Sequence, residues 1–172
     1  MTNIVASASM YVSQTKHLII MNWTIKLKRV YEPAEADDGL RILVDRVWPR
    51  GIKKSDLKYD IWAKDVTPSS EARHFFHADP SGNWDRFSEM YREELRGGDA
   101  LRKLAGQIRG SGSSTVTLLY GFRNPVRNHA VILKEELSAL LQREVAAENS
   151  ESDKKGKFPV PGENPGIGNI DE

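Results

Sequence analysis

The chain has 172 residues, enough for one domain with a sizeable core, and its 25 basic and 24 acidic residues leave a net charge of +1. That balance argues against broad, non-specific nucleic-acid binding, which needs a basic surface, yet it permits a local cationic pocket. The absence of cysteine excludes disulfides, thiol nucleophiles and cysteine-based zinc sites.

Residues 1–22 are read as an upstream-start extension or a disordered leader. Ile4 to Val12 is mildly apolar but broken by Ser7 and Ser9, with no basic stretch before it. The run His17-Leu18-Ile19-Ile20-Met21 is far shorter than the ~20 residues of a spanning helix. No membrane association is expected, and a cytoplasmic location is. A compact domain is expected over 23–145.

Residues 24–30 alternate apolar and basic, the period of a strand with one exposed face, and Lys26 and Lys28 suit an edge position. Pro33, Asp37, Asp38 and Gly39 make a turn. A second strand over 40–44 leads into Asp45-Arg46-Val47-Trp48-Pro49-Arg50-Gly51. Pro49 lacks a backbone donor and Gly51 permits a turn, so the strand stops here. A further short strand is expected within 52–66.

Thr67-Pro68 predicts a helix start, with threonine as cap and Ala72, Phe75 and Phe76 facing inward. The next helix, about 83–96, places Trp84, Phe87, Tyr91 and Leu95 on one face and stops at Gly97-Gly98. Asp99 is expected to cap a third helix carrying Leu101, Leu104, Ala105 and Ile108. Thr115 to Tyr120 is β-branched then apolar, the clearest strand in the chain. Asn124-Pro125 is expected to open a long helix with Val126, Ala130, Leu133, Leu137, Leu140 and Leu141 inward. From 146 to 172 the composition is polar and proline-bearing, which predicts a disordered tail. The order of elements favours a parallel or mixed sheet with helices packed on it.

In such sheets, ligands bind outside the carboxyl ends of the strands. Arg46 and Arg50 lie at one such end and offer planar forks suited to phosphate or carboxylate, with Asp45 placed to orient them or to carry a proton. The alternative is a structural ion pair joining the loop to a helix. The second strand-end constellation is Tyr120, Gly121, Phe122, Arg123 and Asn124, with His129 on the first turns of the following helix; in a parallel sheet it faces the same crevice as the Asp45–Gly51 loop. There His129 is the candidate proton carrier, Tyr120 a hydrogen-bond donor or acid, and Arg123 a group that helps close the pocket. Ordinary packing roles are the alternative for Tyr120 and His129. Trp48 can wall a pocket, Trp62 reads as core, and Asp65 and Ser69 complete the expected binding set with Arg46, Arg50 and Arg123. His74 and His77 lack a nearby third ligand, so no metal is expected. The glycine- and serine-rich run 110–114 precedes a strand instead of joining strand to helix, so no phosphate loop is expected there, and no cofactor.

The run Ile25 to Pro33, then Asp38-Gly39 before Arg41-Ile-Leu-Val-Asp-Arg-Val-Trp-Pro-Arg-Gly, resembles the DUF488 family, in its YeaO-like branch. Trp62 to Ser69, Trp84-Asp-Arg-Phe, Tyr91, Thr117 to Tyr120 and Asn128-His129-Ala130 carry the same resemblance, over about 25–142. It implies a single-domain, three-layer α/β fold, Rossmann-like or flavodoxin-like, with a small, mostly parallel sheet flanked by helices. It implies no secure activity. Longer members of the family carry a cysteine near the strand end where this chain has Tyr120. The residues themselves lead to a small enzyme acting on an anionic, nucleotide-like or phosphorylated substrate. The alternative is a non-catalytic module that binds a nucleotide, nucleic acid or protein.

Overall fold

A computed structural model describes residues 22–155, so residues 1–21 of the expected leader and 156–172 of the expected tail lie outside the described residues. The described chain is a single-domain α/β fold. Its strands are β1 (Thr24–Arg29), β2 (Leu40–Leu43), β3 (Ile61–Trp62) and β4 (Thr115–Tyr120). Its α-helices are α1 (Ser70–Ala78), α2 (Trp84–Gly97), α3 (Ala100–Gly110) and α4 (His129–Lys155). The sheet order is β1-β4-β2-β3, and every pairing is parallel. All four carboxyl ends therefore emerge at one edge. β3 supplies the short strand expected within 52–66, and β1 lies at an edge as its basic residues suggested.

The two faces of the sheet follow from the two-residue period of its strands. Ile25, Ile42, Val44, Val116, Leu118 and Tyr120 face the helices and join Phe76, Phe87, Leu104 and Leu133 in the main core. All four helices contribute to that one core, so they gather on one face. The opposite face carries Val30, Leu43 and Leu119, covered by Leu57, Trp48, Ile52 and Trp62 from the long β2–β3 segment and the strand after it. A loop layer thus does on that side what helices do on the other.

The rest of the second face is ionic. Lys28 Nζ donates to Asp38 Oδ1 at 2.9 Å and to Glu35 Oε2 at 2.7 Å, and Arg41 Nη1 also bonds Asp38. The Thr117 hydroxyl, fully buried on β4, donates to the Asp38 carbonyl at 2.7 Å. Asp38 is itself buried. Burial alone would raise its carboxyl, but the Glu35 N–H, the Lys28 ammonium and the Arg41 charge together hold it below the ordinary carboxylate range. Gly39 turns the chain into β2 with φ +62, and a Cβ there would meet the Thr115 carbonyl oxygen at 2.1 Å, so only glycine fits.

Several helix boundaries differ from those expected. Thr67 closes a short 3-10 turn, its hydroxyl bonded to the Lys64 carbonyl, and Ser69 caps α1 by accepting from the Ala72 N–H at 3.1 Å. Phe75 is exposed, because the buried stripe of α1 runs through Ala72 and Phe76. Asp99 stands at the cap of α3 but makes no side-chain cap bond.

Asn124 does not open α4. Its Oδ1 accepts from the Val126 and Arg127 N–H groups, closing a local turn that leaves Val126 71 % exposed. The helix starts four residues later, where Asn128, buried, accepts from the Ala130 and Val131 N–H groups. At its other end α4 continues to Lys155, so residues 146–155 of the expected tail are helical. No described helix is long and apolar enough to cross a membrane.

The Asp38 cluster has a pH signature. A carboxyl held low in the folded state contributes stability that is present above its unfolded value and is lost as pH falls through the folded one. Asp38→Asn should therefore lower stability to urea at neutral pH. Its deficit relative to the native protein should shrink below the ordinary carboxylate range; a deficit independent of pH would contradict the assignment.

Candidate functional site

A cavity of about 550 Å³ opens at the carboxyl edge of the sheet. It collects Tyr31 from beyond β1, residues 45–50 from beyond β2, Thr67 and Pro68 from beyond β3, and residues 121–123 from beyond β4. Arg73, Phe76 and His77 of α1, Phe87 of α2 and His129 of α4 complete the lining.

Asp45 fixes the two central loops to each other. Its Oδ2 accepts the Gly121 N–H at 2.8 Å, and its Oδ1 lies 3.2 Å from His129 Nε2. The same Nε2 is 2.9 Å from the carbonyl oxygen of Val44, the residue just after β2, and with oxygen acceptors on both sides this nitrogen carries a hydrogen. Gly121 leaves room for the carboxylate, since a Cβ there would come within 2.8 Å of Asp45 Oδ2. The Asp45 carbonyl in turn accepts from Trp62 Nε1 at 2.8 Å.

The remainder of the arginine loop is anchored through its backbone and its indole. Trp48 Nε1 donates to the Ile52 carbonyl at 2.7 Å, and the ring meets Trp62 and Tyr59 edge-on, with centroids 5.5 and 5.8 Å away. Tyr31 donates its hydroxyl to the Arg50 carbonyl at 3.2 Å. Gly51, at φ +77, turns the chain where a side chain would be strained. Backbone anchoring leaves the guanidiniums unspent. Among the described residues, Arg46, Arg50 and Arg123 are exposed and have neither an ion-pair partner nor a side-chain hydrogen bond.

The floor is aromatic. Phe76 stacks on Phe87 with centroids 4.5 Å apart and tilts against Phe122 at 5.4 Å; His77 leans on Phe122 at 5.9 Å. At the wall, Arg73 Nη2 donates to Ser70 Oγ at 3.0 Å, while its buried Nε has no partner among the described residues.

The expected site residues divide accordingly. Asp45, Arg46, Trp48, Arg50, Arg123 and His129 line the one cavity. Tyr120, Asp65 and Ser69 do not. Tyr120 points into the helix-side core, 4 % exposed. Burial raises its phenol above the ordinary value, the Glu32 charge adds to this and the Arg29 charge opposes it. Asp65 sits on the turn after β3 and lines a separate space of about 340 Å³ against α3. Ser69 is occupied as the α1 cap, and its own N–H bonds Glu94. Phe122, expected in the second strand-end loop, lines the cavity; Tyr31, Arg73, Phe76, His77 and Phe87 are lining residues that the sequence reading does not include. The signal available for α1 was the spacing of Arg73, Phe76 and His77, one helical turn on one side.

The acids Glu35, Asp37 and Asp38 also converge. They already neutralise Lys26, Lys28 and Arg41.

A small parallel α/β domain with its cations at the strand ends is thus the class that the fold and this edge define. The chain belongs to the DUF488-N3i family, the inactive DUF488-N3 subclade, whose model matches residues 24–155. It is 46 % identical over 116 residues to the uncharacterized protein YeaO of Escherichia coli (strain K12), covering 67 % of this chain and 98 % of that protein. It is 42 % identical over 114 residues to the uncharacterized protein Rv3073c of Mycobacterium tuberculosis (strain ATCC 25618 / H37Rv), covering 66 % of this chain and 93 % of that one. The uncharacterized protein Mb3100c of Mycobacterium bovis matches with the same identity and coverage. No solved structure matches the chain. The YeaO-like membership read from the tryptophan–arginine motif is therefore the family of the chain.

The Asp45 bridge can be tested by stability alone. Asp45→Ala leaves the buried side of the Gly121 N–H and the His129 ring without their carboxylate, and should cost about 1–3 kcal/mol in urea unfolding. A loss within error of zero would show that the loops hold together without it.

Proposed function

We propose that the protein binds a small anionic ligand bearing a planar ring, nucleotide-like in chemistry, at the strand-end cavity and does not turn it over. The observation that carries this reading is the set of three guanidiniums, Arg46, Arg50 and Arg123, unpaired among the described residues, around a cavity with a phenylalanine floor. Arginine forks suit phosphate oxygens, and the apolar floor suits a base. Arg46 and Arg50 hold the anion, Arg123 closes over it, and Trp48 stiffens the loop from behind.

The three residues expected to transfer protons are engaged in holding the fold. Asp45 serves the Gly121 N–H and His129, His129 Nε2 serves a backbone carbonyl, and Tyr120 is in the core. The description of the family's subclade as inactive points the same way. A cytoplasmic location, where nucleotides are plentiful, accompanies this reading.

A second reading, an enzyme acting on the same phosphorylated ligand, is favoured by one observation: the His129–Asp45 pair lines the cavity itself. The two readings separate cleanly. Calorimetric titration with the common nucleoside 5′-monophosphates should show binding to the native protein. Arg50→Ala should weaken it about 10- to 100-fold, the value of one charged hydrogen-bond pair, without changing the unfolding midpoint. Unaltered affinity in Arg50→Ala would sink the assignment. Turnover abolished by His129→Ala would replace the binding reading with the enzyme.

A further inference from the structure

A second cavity, of about 420 Å³, adjoins the first, and Phe122 and Arg123 line both. Its remaining wall comes from Pro80 and Ser81 in the α1–α2 turn and from the 124–127 turn. Each space falls within the roughly 300–1,000 Å³ typical of ligand pockets. The 124–127 turn is built by Asn124, whose side chain binds the Val126 and Arg127 N–H groups and so keeps this segment out of α4. Arg127 is thereby held at the rim, exposed and, among the described residues, with no ion-pair or side-chain hydrogen-bond partner. Two cationic positions result, Arg46 with Arg50 in the first cavity and Arg127 in the second, with Arg123 and the aromatic ring of Phe122 lining both.

We propose that the ligand carries two phosphate groups flanking a planar base, the chemistry of a 5′-phosphorylated dinucleotide unit. This rests on the binding reading above and specifies its ligand. Arg46 and Arg50 take one phosphate, Arg127 takes the other, Arg123, which lines both cavities, reaches each, and the intervening base stacks on Phe122. Stacking on an aromatic side chain tolerates any base, and guanidiniums recognise the backbone, so the selectivity is for length and phosphate spacing. The near-neutral balance of the chain, +1 overall, favours a short unit over a long strand, whose non-specific binding calls for a broadly basic surface. That unit can be a free dinucleotide or the phosphorylated end of a single strand.

The test compares three probes on the full chain by titration at fixed salt: a nucleoside 5′-monophosphate, a 5′-phosphorylated dinucleotide, and a 5′-phosphorylated single strand of about 20 nucleotides. The native protein should bind the dinucleotide at least about 10-fold more tightly than the monophosphate, as an added charged contact requires. Arg127→Ala should abolish that advantage and leave monophosphate affinity unchanged, with circular dichroism confirming the fold. A dinucleotide bound no more tightly than the monophosphate, or an advantage that survives Arg127→Ala, overturns the proposal while the binding reading stands. Failure of the monophosphate and the dinucleotide alike overturns both. Long strands binding as tightly as the dinucleotide identify a strand end as the source; exclusion of long strands identifies the free dinucleotide. Either result supports the two-phosphate assignment.

Discussion

Asp45 Oδ2 accepts the Gly121 N–H while Oδ1 meets the His129 ring, and this one carboxylate connects the ends of β2 and β4 and the start of α4. The geometry depends on the parallel sheet. Only because β2 and β4 run side by side in the same direction do the residues just beyond them fall within hydrogen-bond reach. Asp45 is partly buried, and a half-sheltered carboxylate is stable there because both oxygens have donors. Gly121 is the complementary requirement, since any side chain would occupy the space the carboxylate needs.

The same pairing explains why, among the described residues, the neighbouring arginines have no carboxylate partner. In a chain with nearly equal numbers of acids and bases, several cations find a carboxylate. Arg41 and Lys28 share Asp38, Arg96 forms a two-point contact with Glu136 that raises its guanidinium above the ordinary value, and Arg109 meets Glu144. These pairs join turn to strand, α2 to α4 and α3 to α4. Asp45 is the acid closest in sequence to Arg46, yet it is committed to a backbone N–H and an imidazole. The loop is then positioned through Trp48, Trp62, Tyr31 and backbone carbonyls, which makes no use of guanidinium groups. Rigid backbone with unspent cations is what an anion site needs, because ordering is done before the ligand arrives.

Much of this was legible in the sequence. The strand at Thr115–Tyr120, the helical face of Phe87, Tyr91 and Leu95, and the strand-end position of the tryptophan–arginine loop all follow from hydrophobic period and turn chemistry. What periodicity does not carry is competition between local caps. Thr67 and Ser69 both suit a helix start, and so do Asn124 and Asn128; packing and the intervening turns selected the later residue each time. Nor does a strand pattern say which end residue turns inward. Tyr120 and Gly121 are adjacent, but the two-residue period places the tyrosine in the helix-side core and leaves the glycine at the site. The aromatic floor from Phe76, Phe87 and Phe122 joins residues far apart in the chain, a relation that only the crossover from β3 through α1–α3 to β4 creates.

The central claim is that Arg46, Arg50 and Arg123 act as one anion site held in place by Asp45. The most direct measurement is an NMR titration of the arginine Nε–H signals with a nucleoside 5′-monophosphate. The three guanidiniums should shift together along one binding curve in the native protein, and lose that common response in Asp45→Ala under conditions where the variant remains folded. Signals that stay fixed at saturating ligand, or that move independently with unrelated affinities, would contradict a single site.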